Sequence, residues 1–371
     1  MNSFHKRPAH VLSLLVLLIV VIAIAALNAT VEQDRASAAF PGANGKIAFV
    51  SDQAGDLEIY TMQADGSGVR RLTNNPATDV VPAWSPDGSK IAFISDRDGN
   101  DEIYVMDADG TNQTRITNTQ GGEGDEYYPS WSPDGTKILF HRTLAFMSEE
   151  IYYINVDGTG ETNLTNGPET DYYAAWSPDG ARIVFTSFRD GNNDIFVMDA
   201  DGSGEINLTN YPGFDSFPDW SPDGSRILFI SGRGGPAEIY LMDADGSGVI
   251  QLTSNALSFS AAWSPDGSRI VFGSSNSPGT GDIFVMNADG TGETNLTNSL
   301  AGDAQPAWQP LLQAPAVGGL SLDSDLQNLP LATNGPQSSR WVLDGELVAG
   351  AFVVALGGAA WYVKKRSQTG H

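Results

Sequence analysis

The pentapeptide Trp-Ser-Pro-Asp-Gly occurs five times, at Trp84, Trp131, Trp176, Trp220 and Trp263, and a degenerate copy, Ala-Trp-Gln-Pro, ends the series at Trp308. Successive tryptophans lie 47, 45, 44, 43 and 45 residues apart. Proline fixes φ and the Asp-Gly step tolerates positive φ, so each copy is a tight reversal. Turns at so constant a period restrict the chain to a repeat architecture. A period of about 40–50 residues with four strands per unit belongs to a propeller blade, not to a helical solenoid.

Each unit divides in the same way. A segment such as Val-Val-Pro-Ala-Trp-Ser turns at Ser-Pro-Asp-Gly into Lys-Ile-Ala-Phe-Ile-Ser, and the loop Asp96–Asp101 leads to Glu-Ile-Tyr-Val-Met. A second turn, Asp-Ala-Asp-Gly, leads to Thr-Arg-Ile-Thr. These apolar runs are continuous, as expected of sheets packed on both faces. The second strands, Lys46–Val50, Lys90–Ile94, Lys137–His141, Arg182–Thr186, Arg226–Ile230 and Arg269–Gly273, count six blades. The first blade has no preceding turn motif and the chain has a spare Gln305–Pro310 after the sixth, so that segment is expected to supply the inner strand of blade one. Such closure removes an exposed sheet edge.

The Trp-Ser-Pro-Asp-Gly turn followed by Ser-Asp-Arg-Asp-Gly and Ile-Tyr-Val-Met-Asp-Ala-Asp-Gly segments resembles the TolB-type propeller repeat, a WD-like family, over residues 41–310. The resemblance implies a six-bladed ring with a protein- or ligand-binding habit, and fold by itself does not assign function. Periplasmic members also carry an N-terminal α/β domain that docks envelope partners. This chain is expected to lack it.

The two ends read as targeting segments. Basic residues His5, Lys6, Arg7 and His10 precede an apolar run from Val11 to Leu27, and Ala36-Ser37-Ala38 offers a cleavage site, so residues 1–38 are an export signal, either cleaved or kept as an anchor. Leu347–Val363 is 17 residues without a charge and is followed by Lys364, Lys365 and Arg366. That is long enough to span a bilayer with its basic end in the cytoplasm. The expected organisation is therefore signal 1–38, propeller 41–310, a Gly/Pro/Ser-rich linker 311–345 and a transmembrane helix with its basic tail over 346–366. Leu329–Gly335 (LPLATNG) is similar to a sortase sorting signal, although its threonine comes one place late.

The formal charge of −25 argues against nucleic acid, and the absence of cysteine excludes disulfides and thiolate chemistry. A monomer is expected.

Five positions before each tryptophan stand Asp79, Glu126, Asp171, Asp215, Ser258 and Asp303, which the meander places at the entry of the innermost strands, about the channel mouth. Aromatics follow them, among them Tyr127, Tyr128, Tyr172, Tyr173, Phe217 and Phe259. A second set, Glu58, Glu102, Glu150, Asp194, Glu238 and Asp282, opens the third strands. In one reading the inner carboxylates with Tyr128, Tyr173 and Phe217 hold a basic peptide, a sugar or Ca²⁺. In the other they cap loop amides or pair with Arg97, Arg189 and Arg233, and sixfold repetition favours this architectural reading. The tryptophans are structural.

Outside the export signal only His141 and His371 remain, so a Ser-His-Asp triad or a histidine-rich metal centre has almost no material. Propeller lyases acting on pectin fragments rely on histidine ligands that this chain lacks. The expectation is an extracytoplasmic, membrane-anchored binding or scaffold module without a cofactor, its partner a protein or peptide of the cell envelope. The alternative is a carbohydrate-active or carbohydrate-binding propeller using paired carboxylates and Ca²⁺.

Overall fold

The computed structural model describes residues 42–119, 124–144, 148–254, 257–277 and 280–311. They form six four-stranded antiparallel sheets, the blades of an all-β propeller. The expected signal (1–38), most of the linker including the LPLATNG stretch, and the expected transmembrane helix (346–366) lie outside the described residues. Among the described residues no helix is long and apolar enough to cross a membrane.

Blade 2 shows the pattern. Its strands run Asp79–Trp84, Lys90–Ser95, Glu102–Asp107 and Thr114–Arg115 from the axis outward. The two middle strands are buried along almost their whole length, which accounts for the unbroken apolar runs. The inner strand instead alternates, and the short outer strand is largely open. Continuous burial thus belongs only to strands covered on both faces by neighbouring blades. Each interblade core is centred on one phenylalanine of the second strand, Phe49, Phe93, Phe140, Phe185, Phe229 or Phe272, none more than 1% exposed.

The ring closes as the spare segment suggested. Asp303–Leu311 pairs antiparallel with Ala43–Ser51 and completes blade 1. Side chains lock the seam: Gln309 accepts from the Lys46 amide at 3.1 Å and donates to the Gly88 carbonyl at 2.8 Å.

The turns explain themselves locally. Asp87 accepts from the Ser89 amide (3.0 Å) and the Ser85 hydroxyl (2.6 Å), while Ser85 Oγ receives the Lys90 amide at 2.9 Å. Aspartate in this role offers the reversal an internal acceptor.

One feature was not legible in the sequence. Every innermost strand is bulged, and the bulged residue is a non-glycine at φ of 50–56°: Val81, Tyr128, Tyr173, Phe217, Ser260 and Gln305. A bulge interrupts the alternation of a strand and re-aims side chains. Here three consecutive residues of each inner strand line the central channel.

Candidate functional site

The expected acidic mouth is not an open one. Asp79, Glu126, Asp171, Asp215 and Asp303 are at most 3% exposed, and none lines the channel cavity. Four are paired: Asp79 with Arg97 (2.9 Å), Glu126 with Arg142 (2.7 Å), Asp171 with Arg189 (3.1 Å) and Asp215 with Arg233 (2.6 Å). Asp303 instead accepts from the Ser299 hydroxyl at 2.9 Å. The guanidinium groups lie over aromatic rings of their own blades, Arg189 over Phe196 at 4.7 Å and Arg97 over Tyr104 at 4.6 Å. Asp79, Asp171 and Asp215 are thus tied to the loop after their second strand, and Glu126 to the end of the second strand itself.

The outer set has an equally regular task. Glu58, Glu102, Glu150, Asp194 and Asp282 each accept from the backbone amide seventeen residues further on, at 2.9–3.2 Å. Glu238 is met by the Thr253 hydroxyl. These contacts hold the chain where it leaves one blade for the next. The Asn-Leu-Thr triplets are also architectural: Asn207 and Asn295 donate to Asp194 and Asp282 at 3.0 and 2.8 Å.

Blade 3 departs from its neighbours. It carries Glu126 where other blades carry Asp or Ser, and the extra methylene brings its carboxyl beside Glu102. Burial pushes Glu126 up to about 8 despite Arg142. Arg142 also forks onto Glu161 at 2.7 and 2.8 Å.

What does line the channel is asymmetric. Tyr128, Tyr173 and Phe217 come from blades 3, 4 and 5, while Gln305, Val81 and Ser260 take the same position in blades 1, 2 and 6. The Tyr173 and Phe217 rings stack at 3.8 Å, and Tyr128 meets them edge-on at 4.4 and 5.5 Å. In blade 1 the Gln305 side chain at the same level accepts from the Val81 amide at 3.0 Å, while the three rings form a plug across blades 3 to 5. Beneath it, His141 is 3% exposed and lies 5.3–6.0 Å from the rings of Tyr127, Tyr128, Tyr172 and Tyr173. Its Nδ1 accepts from the Tyr173 amide at 3.4 Å, and burial pushes its pKa down to about 3. Burial likewise pushes the Tyr127 and Tyr172 phenols up to about 12.

The structure therefore brings Tyr128, Tyr173 and Phe217 together and sets the five carboxylates apart from them. Reading the repeats singly missed Arg142, the histidine cage and Asp219, which lines the channel where the other blades have alanine or serine. The signal for Asp219 and His141 was present: both break an otherwise regular column of the aligned repeats. Among the described residues no group of three or more His, Cys, Asp or Glu is placed to hold a metal ion.

Comparison with known proteins follows the same lines. The family model of the TolB beta propeller domain matches residues 26–171 and 129–260. The crystal structure of TolB from Acinetobacter baumannii is similar at 27% identity and a TM-score of 0.63, covering 72% of this chain and 67% of that one. The Tol-Pal system protein TolB of Geobacter sulfurreducens is 52% identical over 44 residues, 12% of this chain and 10% of that protein. An oligogalacturonate lyase in complex with manganese shares the fold at 17% identity and a TM-score of 0.51, over 68% of this chain and 74% of the lyase.

Proposed function

The chain belongs to the TolB β-propeller family, and from that premise we propose that it is a protein- or peptide-binding module of the cell envelope. In this reading it works outside the cytoplasm, held to the cytoplasmic membrane by the apolar segment over 346–366. Export through residues 1–38 and the basic residues after Val363 support that topology. The relatives named Tol-Pal system protein TolB support an envelope partner.

The observation that carries the reading is the channel face of blades 3 to 5. Tyr128 and Tyr173 present large rings with polar tips, and aromatic side chains of this kind dominate protein recognition surfaces. The buried carboxylates serve the frame in this reading, which leaves the aromatic side of the channel and the surrounding rim to meet the partner. Catalysis is not part of the proposal: His141 is caged and neutral, and the acidic residues of the inner ring are engaged by arginine or serine.

The test is capture from the native envelope. Immobilised wild-type protein should retain a defined envelope protein that a Tyr173→Ala, Phe217→Ala double variant, shown folded by circular dichroism, retains less. Equal retention by both, or turnover of an oligosaccharide in a glycan screen, would overturn the assignment.

A further inference from the structure

Most of this ring repeats itself six times, so a ligand requirement should be legible where the repeat is broken. The residue before each repeat tryptophan is Ala83, Ser130, Ala175, Ala262 or Ala307 in five blades, and Asp219 in blade 5. All six line one cavity of about 210 Å³ on the propeller axis. Asp219 is the only charged residue of that lining. Prolines and alanines make up most of the remaining wall.

The Tyr128–Tyr173–Phe217 plug sits two residues earlier along the inner strands than the Asp219 level. The approach to Asp219 is therefore from the side of the Ser-Pro-Asp-Gly turns. Its carboxyl accepts from the Trp263 amide at 3.4 Å, and the influences on it are burial and the amides of Trp263 and Trp220, with no cation among them. The contrast with the inner ring matters. There, four buried carboxylates each have an arginine, and an unpaired one is costly to bury. Asp219 is half-buried, desolvated by its surroundings, and has no cationic partner.

We propose that this well binds one cationic group, the ammonium or guanidinium of a peptide side chain, which pairs with Asp219 while its alkyl stem lies along the alanine and proline wall. The single carboxylate balances one positive charge, which matches a monocation rather than a divalent metal, whose sites usually gather several charged oxygen ligands. A narrow apolar shaft ending in one anion and three aromatic rings suits a slender monocation instead, whose charge the ring faces also favour. The proposal rests on the binding-module reading only for the peptide that carries the cation.

The probes are n-butylammonium and N-butylguanidinium, with butan-1-ol as the neutral control, titrated calorimetrically into the full chain in a non-ionic detergent. Burial pushes Asp219 up to about 7, so the cation must displace a proton. Its affinity should rise about tenfold between pH 6 and pH 8. Asp219→Asn and Asp219→Ala, the latter copying four other blades, should abolish saturable binding while the thermal melt remains cooperative. Butan-1-ol should not bind. Equal affinity in the Asp219 variants would place the cations on the generally acidic surface, and together with a flat pH profile or absent binding would overturn the site. Asp219-dependent binding without capture of an envelope protein would uphold the well and remove the partner. Capture without amine binding would do the reverse.

Discussion

His141 allows a sharp measurement on one buried group. Its folded pKa lies near 3, below the ordinary value of 6.5, because four tyrosine rings exclude water and Nδ1 is committed as an acceptor to the Tyr173 amide. Protonation would turn that acceptor into a donor facing a donor. As pH falls through 6.5 the unfolded chain binds this proton and the folded chain does not, so stability is lost on acidification. At pH 4.5 the loss is two pH units' worth, about 2.7 kcal/mol. Since pH 4.5 stands well above the folded value, the figure depends on the unfolded pKa and hardly on the folded one. Many carboxylates also titrate in this range, so the comparison must be internal. Blades 2 and 5 carry Ile94 and Ile230 at the His141 position, which makes His141→Ile the matched variant. Urea unfolding followed by tryptophan fluorescence at pH 7.5 and 4.5 should show wild type losing about 2.7 kcal/mol more than the variant. Any constant cost of the substitution cancels in that difference. Parallel pH dependence in the two proteins would refute the caged, neutral histidine.

Other consequences follow from the frame. Gly88 and Gly135 occupy equivalent turns at φ of 67° and 70°, but a Cβ on Gly88 would stand 2.1 Å from the Pro310 carbonyl whereas one on Gly135 meets nothing nearer than 3.8 Å. Gly135→Ala should cost about 1–2 kcal/mol for the left-handed backbone alone, and Gly88→Ala clearly more, with the excess vanishing if the closing strand is not seated there. Phe185→Ala, at a fully buried interblade centre, should lower unfolding stability by about 3–5 kcal/mol in denaturant titrations. A loss below 1 kcal/mol would mean that the blades repack around the gap. Arg189→Ala strands the buried Asp171 carboxylate and should cost about 3–5 kcal/mol. Adding Asp171→Asn should recover part of it, and no recovery would show that ring packing against Phe196, not charge, gives Arg189 its value.

The frame was readable because its causes are local and repeated. Ser-Pro-Asp-Gly is a turn wherever it stands, and the length between turns leaves room for four strands and no more, so blade number and strand order follow from spacing. Closure was readable from arithmetic: a first blade without a leading turn and a spare Trp308 segment need one another. The bulges were not readable, since φ near 50° at Val81 or Tyr128 is imposed by six sheets converging on one axis and has no residue signature of its own. The setting of the carboxylates was not readable either. Asp79, Glu126, Asp171, Asp215 and Asp303 open the inner strands, yet residues two to four places later line the channel, and the carboxylates lie buried, four against arginine and Asp303 against Ser299.

The same comparison separates frame from function. A feature present in every blade must satisfy six nearly identical surroundings, and the buried carboxylates do so with hydrogen bonds that close each blade on itself. A ligand on the axis meets all six blades at once and has no need of sixfold copies; it needs difference between them. The differences in this ring converge: Tyr128, Tyr173 and Phe217 fill three adjacent blades, His141 lies under them, and Asp219 supplies the lone charge. Each replaces a residue that a neighbouring blade shows to be sufficient for the fold. Alanine at position 219 would build the wall as well as it does at positions 83, 175, 262 and 307, and would spare the chain a half-buried, desolvated carboxyl. A cost borne in one blade and avoided in the other five points to a task at the channel, not to the ring.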